Sequence, residues 1–150
     1  MKQTSGTWFE CKVRYEQTQE DGTEKVVTET YVYKAEDFGE AYGKTIKDMS
    51  TSISGEFEIT AMKIAQYKEI ITQDERTEEK YYRVKVNLII LDEKTNKEKK
   101  VAQYYLVNAD SVEKARKYTD TALSDTMMDY VIEAVQEAKI IDVILTSKKR

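Results

Sequence analysis

The sequence predicts an α+β fold in which one ββαβ unit is written twice, giving six mainly antiparallel strands and two helices. Three observations predict it. Trp8-Phe-Glu-Cys-Lys-Val-Arg-Tyr15 lies over Tyr81-Tyr-Arg-Val-Lys-Val-Asn-Leu88 at an offset of 73 residues. Both segments alternate apolar and polar residues, the period of a half-buried strand. The first half then carries a stretch of helical spacing, Phe38, Ala41, Tyr42, Thr45, Ile46 and Met49, and the second repeats Ala41 and Thr45 as Ala115 and Thr119. Internal similarity of this kind is worth finding early, because it decides the whole architecture.

The correspondence holds along both halves. At an offset of 74, Glu24-Lys25-Val26-Val27 meets Glu98-Lys99-Lys100-Val101, and Tyr31-Val-Tyr-Lys-Ala35 meets Tyr105-Leu-Val-Asn-Ala109. Ala41, Thr45 and Ser50 meet Ala115, Thr119 and Ser124, and Phe57-Glu-Ile-Thr-Ala61 meets Tyr130-Val-Ile-Glu-Ala134. Matched order with compensating one-residue gaps is hard to obtain by chance.

Taken in order, residues 8–18 read as a strand, and Gln19-Glu-Asp-Gly-Thr23 as a turn built on a favoured Asp-Gly dipeptide. Residues 26–35 are a Val/Thr/Tyr-rich second strand, and 36–51 a helix ended by Ser54-Gly55. A long third strand follows at 56–71, with an irregularity near Ala65-Gln66. The second half repeats this at 81–91, 100–109, 110–126 and 129–145, its helix opening on Asp110-Ser-Val-Glu113 with the spacing of a capping box. Thr72-Gln-Asp-Glu-Arg-Thr-Glu-Glu79 is polar throughout. The boundaries are therefore residues 1–72 for the first unit, 73–80 for a linker and 81–150 for the second, packed together as a pseudo-symmetric pair. Ser147-Lys-Lys-Arg150 reads as a solvated tail.

Composition narrows the chemistry. The chain has 150 residues, 24 basic and 28 acidic, with no histidine and one cysteine. Without histidine, the usual neutral-pH proton carrier and commonest metal ligand are both missing. A single Cys11 excludes an intrachain disulfide and every multi-cysteine metal motif. Cys11 stands between Phe9 and Val13 on the inward strand face, where Val84 stands in the second half, so it reads as a small buried apolar group. The scattered glycines form no phosphate-binding loop. The carboxylates, Asp74 and Glu75 among them, read as solvated surface, and Asp110 and Glu113 as helix-capping groups. The expectation is no catalytic residue, no cofactor, no metal and no enzyme. Apolar runs such as Asn87-Leu-Ile-Ile-Leu91 are too short to span a bilayer, and the start holds no apolar signal core, so no membrane association and a cytoplasmic location are expected.

The run Thr7-Trp-Phe-Glu-Cys-Lys-Val-Arg-Tyr15 with Ser54-Gly-Glu-Phe-Glu-Ile-Thr-Ala61, and Tyr82-Arg-Val-Lys-Val-Asn87, Leu91-Asp-Glu-Lys94 and Lys97-Glu-Lys-Lys100 in the second half, resembles a bacterial and bacteriophage domain-of-unknown-function family. The resemblance runs along nearly the whole chain. It implies the tandem arrangement and a phage accessory setting such as replication, packaging or host interaction, and it carries over no functional residue.

Two surfaces stand out. On the strand side opposite the inferred core the second half places Ile89, Leu91, Tyr104, Leu106, Val131 and Val135. The first half places Gln17, Thr30, Val32, Glu58 and Met62 there, a more polar set. A solvated sheet face should not carry so many apolar groups. The expectation is a protein partner or self-association through that face. The alternative is a single-stranded nucleic-acid reader, in which Trp8 and Tyr81 stack bases while Lys12, Arg14, Arg83 and Lys85 hold phosphates. Against base stacking stands the plain reading of tyrosine as a good strand former that packs a half-buried surface.

Overall fold

The computed structural model of the protein describes residues 1–73 and 78–145; the linker positions 74–77 and the tail lie outside the described residues. In chain order the elements are β1 (Lys2–Thr4), β2 (Trp8–Thr18), β3 (Glu24–Lys34), α1 (Phe38–Ser52), β4 (Phe57–Ala65) and β5 (Glu69–Thr72). Then come β6 (Lys80–Asp92), β7 (Lys97–Ala109), α2 (Val112–Ala122), β8 (Asp129–Ala138) and β9 (Asp142–Ile144). The fold is mixed α+β, with two sheets ordered β1-β5-β7-β6-β8 and β4-β2-β3-β9. Among the described residues there are nine strands, not six.

One added strand is β1, which the sequence reading lacks and which pairs with β5; the other two have one cause. Each long third strand of the sequence reading breaks in two, at 66–68 and at 139–141, and the second piece joins a different sheet from the first. β5 pairs parallel with β7, Ile71 opposite Val107. β9 pairs parallel with β3, Val143 opposite Val32. The chain therefore forms two compact units that are discontinuous in sequence, Met1–Ser5 with Tyr67–Ala138 and Gly6–Gln66 with Lys139–Arg150. Neither unit follows the boundaries at 72 and 81.

Within the unit built on β2, the core face carries Phe9, Cys11, Tyr33, Ala35, Ala41 and Ile144. Within the unit built on β6, Tyr82, Val84, Val107, Ala109, Ala115 and Ile71 occupy the matching places, with Val86, Tyr105 and Leu123 added. Small Ala41 and Ala115 let each helix approach its sheet, and both are fully buried. Thr45 and Thr119, also fully buried, return their hydroxyls to the carbonyls of Ala41 and Ala115 at 2.7 and 2.8 Å. That back-bond is how a β-branched hydroxyl is tolerated inside a packed helix.

The turns and caps follow local chemistry. Gly22, at φ 85°, takes the left-handed position of the Asp-Gly turn, and Asn96 takes it in the β6–β7 turn at φ 55°. Helix α1 is capped by Asp37, which accepts from the Glu40 amide at 2.8 Å. Helix α2 is capped by Ser111, which accepts from the Lys114 amide at 3.2 Å, one residue later than the capping box expected from sequence. Asp110 instead lies 3.7 Å from the Lys114 ammonium, and its carboxyl is held below the ordinary value by hydrogen bonding at Glu78 and Glu79 and by that ammonium.

Candidate functional site

The sheet face turned away from α2 is the candidate site, and the register of β6 with its neighbours sets its layout. Rows across the face read Ala134–Lys85–Tyr104, Val131–Asn87–Ala102 and Asp129–Ile89–Lys100, with Leu91 opposite Glu98 at the far end. Cross-strand partners share a face. Leu91 is 57% exposed, Val131 50% and Tyr104 41%, and Ile89 is half-buried.

A β-bulge shapes this surface. The register of β6 with β8 shifts between Lys85 and Val86, which leaves Glu133 as the extra residue. Its carboxylate sits 2.9 Å from the Lys85 ammonium and accepts from Asn87 Nδ2 at 3.0 Å. These bonds hold the Glu133 carboxyl below its ordinary range, the Lys85 hydrogen bond contributing most, and hold the Lys85 ammonium above its own. The same shift occurs between Lys12 and Val13 in β2, with Thr60 as the extra residue.

The bulge also corrects the sequence reading. Val135 pairs with Val84 and packs on the core beneath α2, so it belongs to the other face. Met62 pairs with Cys11 and is displaced in the same way. An extra residue resets the period of two, so alternation counted from Val131 fails beyond Glu133. Leu106 does lie on the predicted face but is fully buried and presents no surface.

The aromatic-basic set is not brought together as a stacking platform. Trp8 is fully buried and Tyr81 is 4% exposed, leaving neither ring a face for a base. Lys12 and Arg14 are exposed, and Arg14 donates to Glu58. Arg83 donates through Nε to the Tyr67 hydroxyl at 3.0 Å, and Lys85 is engaged by Glu133.

A polar cluster that sequence reading missed lies on the helix-covered side of β3. The Tyr15 and Tyr31 hydroxyls both donate to Glu29 Oε1, at 2.8 and 2.9 Å, and Tyr33 donates to Asp48 at 2.8 Å. Burial first and the carboxylates second push all three phenols above their ordinary value. Burial likewise raises the Cys11 thiol, so it is no ready nucleophile. The only advance signal was Glu29 and Tyr31 at i, i+2 on one strand face. A shallow groove of about 860 Å³ near Arg14, Tyr15 and Phe57 has a rim of glutamates. Among the described residues no group of three or more acidic or cysteine side chains converges as a metal site. No described helix is long and apolar enough to cross a membrane.

Comparisons with known proteins add one relationship. No curated protein and no solved structure matches the chain. The model of a family described as a domain of unknown function (DUF4494) matches residues 7–146, nearly the whole length, so the chain belongs to that family.

Proposed function

We propose that this chain is a non-enzymatic protein-binding module whose contact surface is the β6–β7–β8 face carrying Ile89, Leu91, Tyr104 and Val131. The observation that carries the reading is exposure. Leu91, Val131 and Tyr104 stand 57, 50 and 41% exposed on one face of a sheet that already buries its other face under a helix, with Ile89 between the rows of Leu91 and Val131. Apolar side chains grouped in this way gain free energy when a partner covers them. At the places of Ile89 and Leu91, β2 instead presents Glu16 and Thr18, both exposed. We read the recurring ββαββ order as a duplication in which shared residues are scaffold and the differing face is function. A phage accessory setting and a cytoplasmic location accompany this reading on the strength of the sequence alone.

The test asks whether the fold needs these side chains. Leu91→Lys with Val131→Lys should leave the melting temperature within a few degrees of the parent and raise solubility at high concentration. A loss of stability on the scale of a core truncation would make them structural and overturn the reading.

A further inference from the structure

We propose that the occupant of this face is a second copy of the chain, seated face to face about a two-fold axis that runs parallel to β6 and passes between the two copies of Ile89. The inference rests on the protein-binding reading above and adds the identity of the partner. An interface between identical copies must be self-complementary, because each residue meets the symmetry image of its own surroundings.

The register supplies that property. An axis parallel to β6 exchanges the strands on either side of it, so the β8 side of one copy lies over the β7 side of the other. In the central row Ile89 is flanked by Asp129 on β8 and Lys100 on β7, both exposed. Each flanking residue is about 4.8 Å away, the spacing of neighbouring strands. The two-fold therefore sets Asp129 over Lys100 twice, with Ile89 over Ile89 between them. In the next row Val131 meets Ala102, and in the one beyond it Tyr104 meets Ala134. Leu91 meets its own image. Lys85, which also lies on the axis strand, is already neutralised by Glu133 at 2.9 Å, so its approach to its image is not a bare like-charge contact. A partner of another kind would not require opposite charges placed evenly on either side of Ile89. The natural twist of each sheet offsets the stacked strands by about 30° and leaves the central row in place.

Sedimentation velocity on the intact chain, from about 1 μM to about 1 mM, tests this. The expected result is a monomer–dimer equilibrium weakened by salt, since salt screens the attraction between Asp129 and Lys100 of the two copies. Asp129→Lys and Lys100→Asp should each weaken association by about ten-fold or more. The double variant Asp129→Lys/Lys100→Asp should restore it, because the exchange preserves complementarity. Circular dichroism on each variant confirms folding, and Asp129→Asn with Lys100→Gln serve if a reversal unfolds. A monomer at every concentration, or a dimer indifferent to both reversals, overturns the second-copy assignment. Either outcome leaves the protein-binding reading standing, because that reading fails instead through unfolding of the Leu91→Lys/Val131→Lys variant.

Discussion

Lys85 and Glu133 meet at 2.9 Å on the sheet face opposite α2, and Asn87 donates to the same carboxylate oxygen. Glu133 is there because β8 carries one residue more than β6 at that point. The bulge therefore does two things: it turns a carboxylate onto the candidate surface, and it turns Val135 off it. Glu133 titrates below its ordinary value of 4.5. A folded-state value below the unfolded one contributes stability above the ordinary carboxylate range, and that contribution is lost as pH falls through the folded value. Carbon-detected NMR should show the Glu133 carboxyl titrating low in the parent and returning toward the ordinary value in Lys85→Met. Both groups are exposed, so the melting temperature should barely change.

The tyrosine cluster makes the opposite pH prediction. Tyr15, Tyr31 and Tyr33 are all raised above the ordinary 10.0. In the unfolded chain they ionise as pH passes 10, whereas in the folded chain they stay protonated. Stability is fully present below that pH and falls as pH climbs beyond it. Thermal melts between pH 8 and pH 11 should show this decline, with a shallower slope in Tyr31→Phe and Tyr33→Phe. At neutral pH, Tyr33→Phe should cost about 1–3 kcal/mol, because it removes the hydrogen bond from a buried phenol to the Asp48 carboxylate.

The short crossing strands carry more of the fold than their length suggests. Ile71 is fully buried and Ile144 is 7% exposed, each in the core of the unit it crosses into. Ile71→Ala or Ile144→Ala should cost about 2–5 kcal/mol in denaturant melts. A fragment ending at Ala138 lacks β9, with both Val143 and Ile144, and should lose the stability of the β2–β3 sheet first. Hydrogen exchange resolved by residue would report that order.

Much of this architecture is legible in the sequence where the determinants are local. Alternation in Phe9-Cys11-Val13 and Tyr82-Val84-Val86 marks the central strands, and Ala41 and Ala115 at helical spacing mark where the helices touch them. The crossings are not legible, because β5 and β9 have four and three residues and their pairing with β7 and β3 is long-range. Nor is the bulge, since Thr60 and Glu133 look like ordinary outward positions until the strand register is known. Periodicity puts Ile89, Leu91, Tyr104 and Val131 on the face away from α2, and the strand register puts them on that face too. Leu106 was placed on the right face, but alternation reports a face and not whether it is covered. The same blindness applies to Trp8, which sits on the side away from α1 yet is fully buried.

Trp8 gives a direct check on nucleic-acid binding. As the only tryptophan and a fully buried one, it should emit at short wavelength and respond to no single-stranded oligonucleotide at low salt. Saturable quenching would show that the ring becomes accessible and would revive base stacking.

The proposed self-association places two copies of the chain together at the Ile89–Leu91 end of one sheet face. Methyl NMR of the intact chain as a function of its own concentration tests that most directly. Concentration-dependent shifts are expected for Ile89, Leu91 and Val131, with Ile71 and Ile144 in the cores unmoved. Shifts absent at all three surface methyls, or spread equally over core and surface, would contradict it.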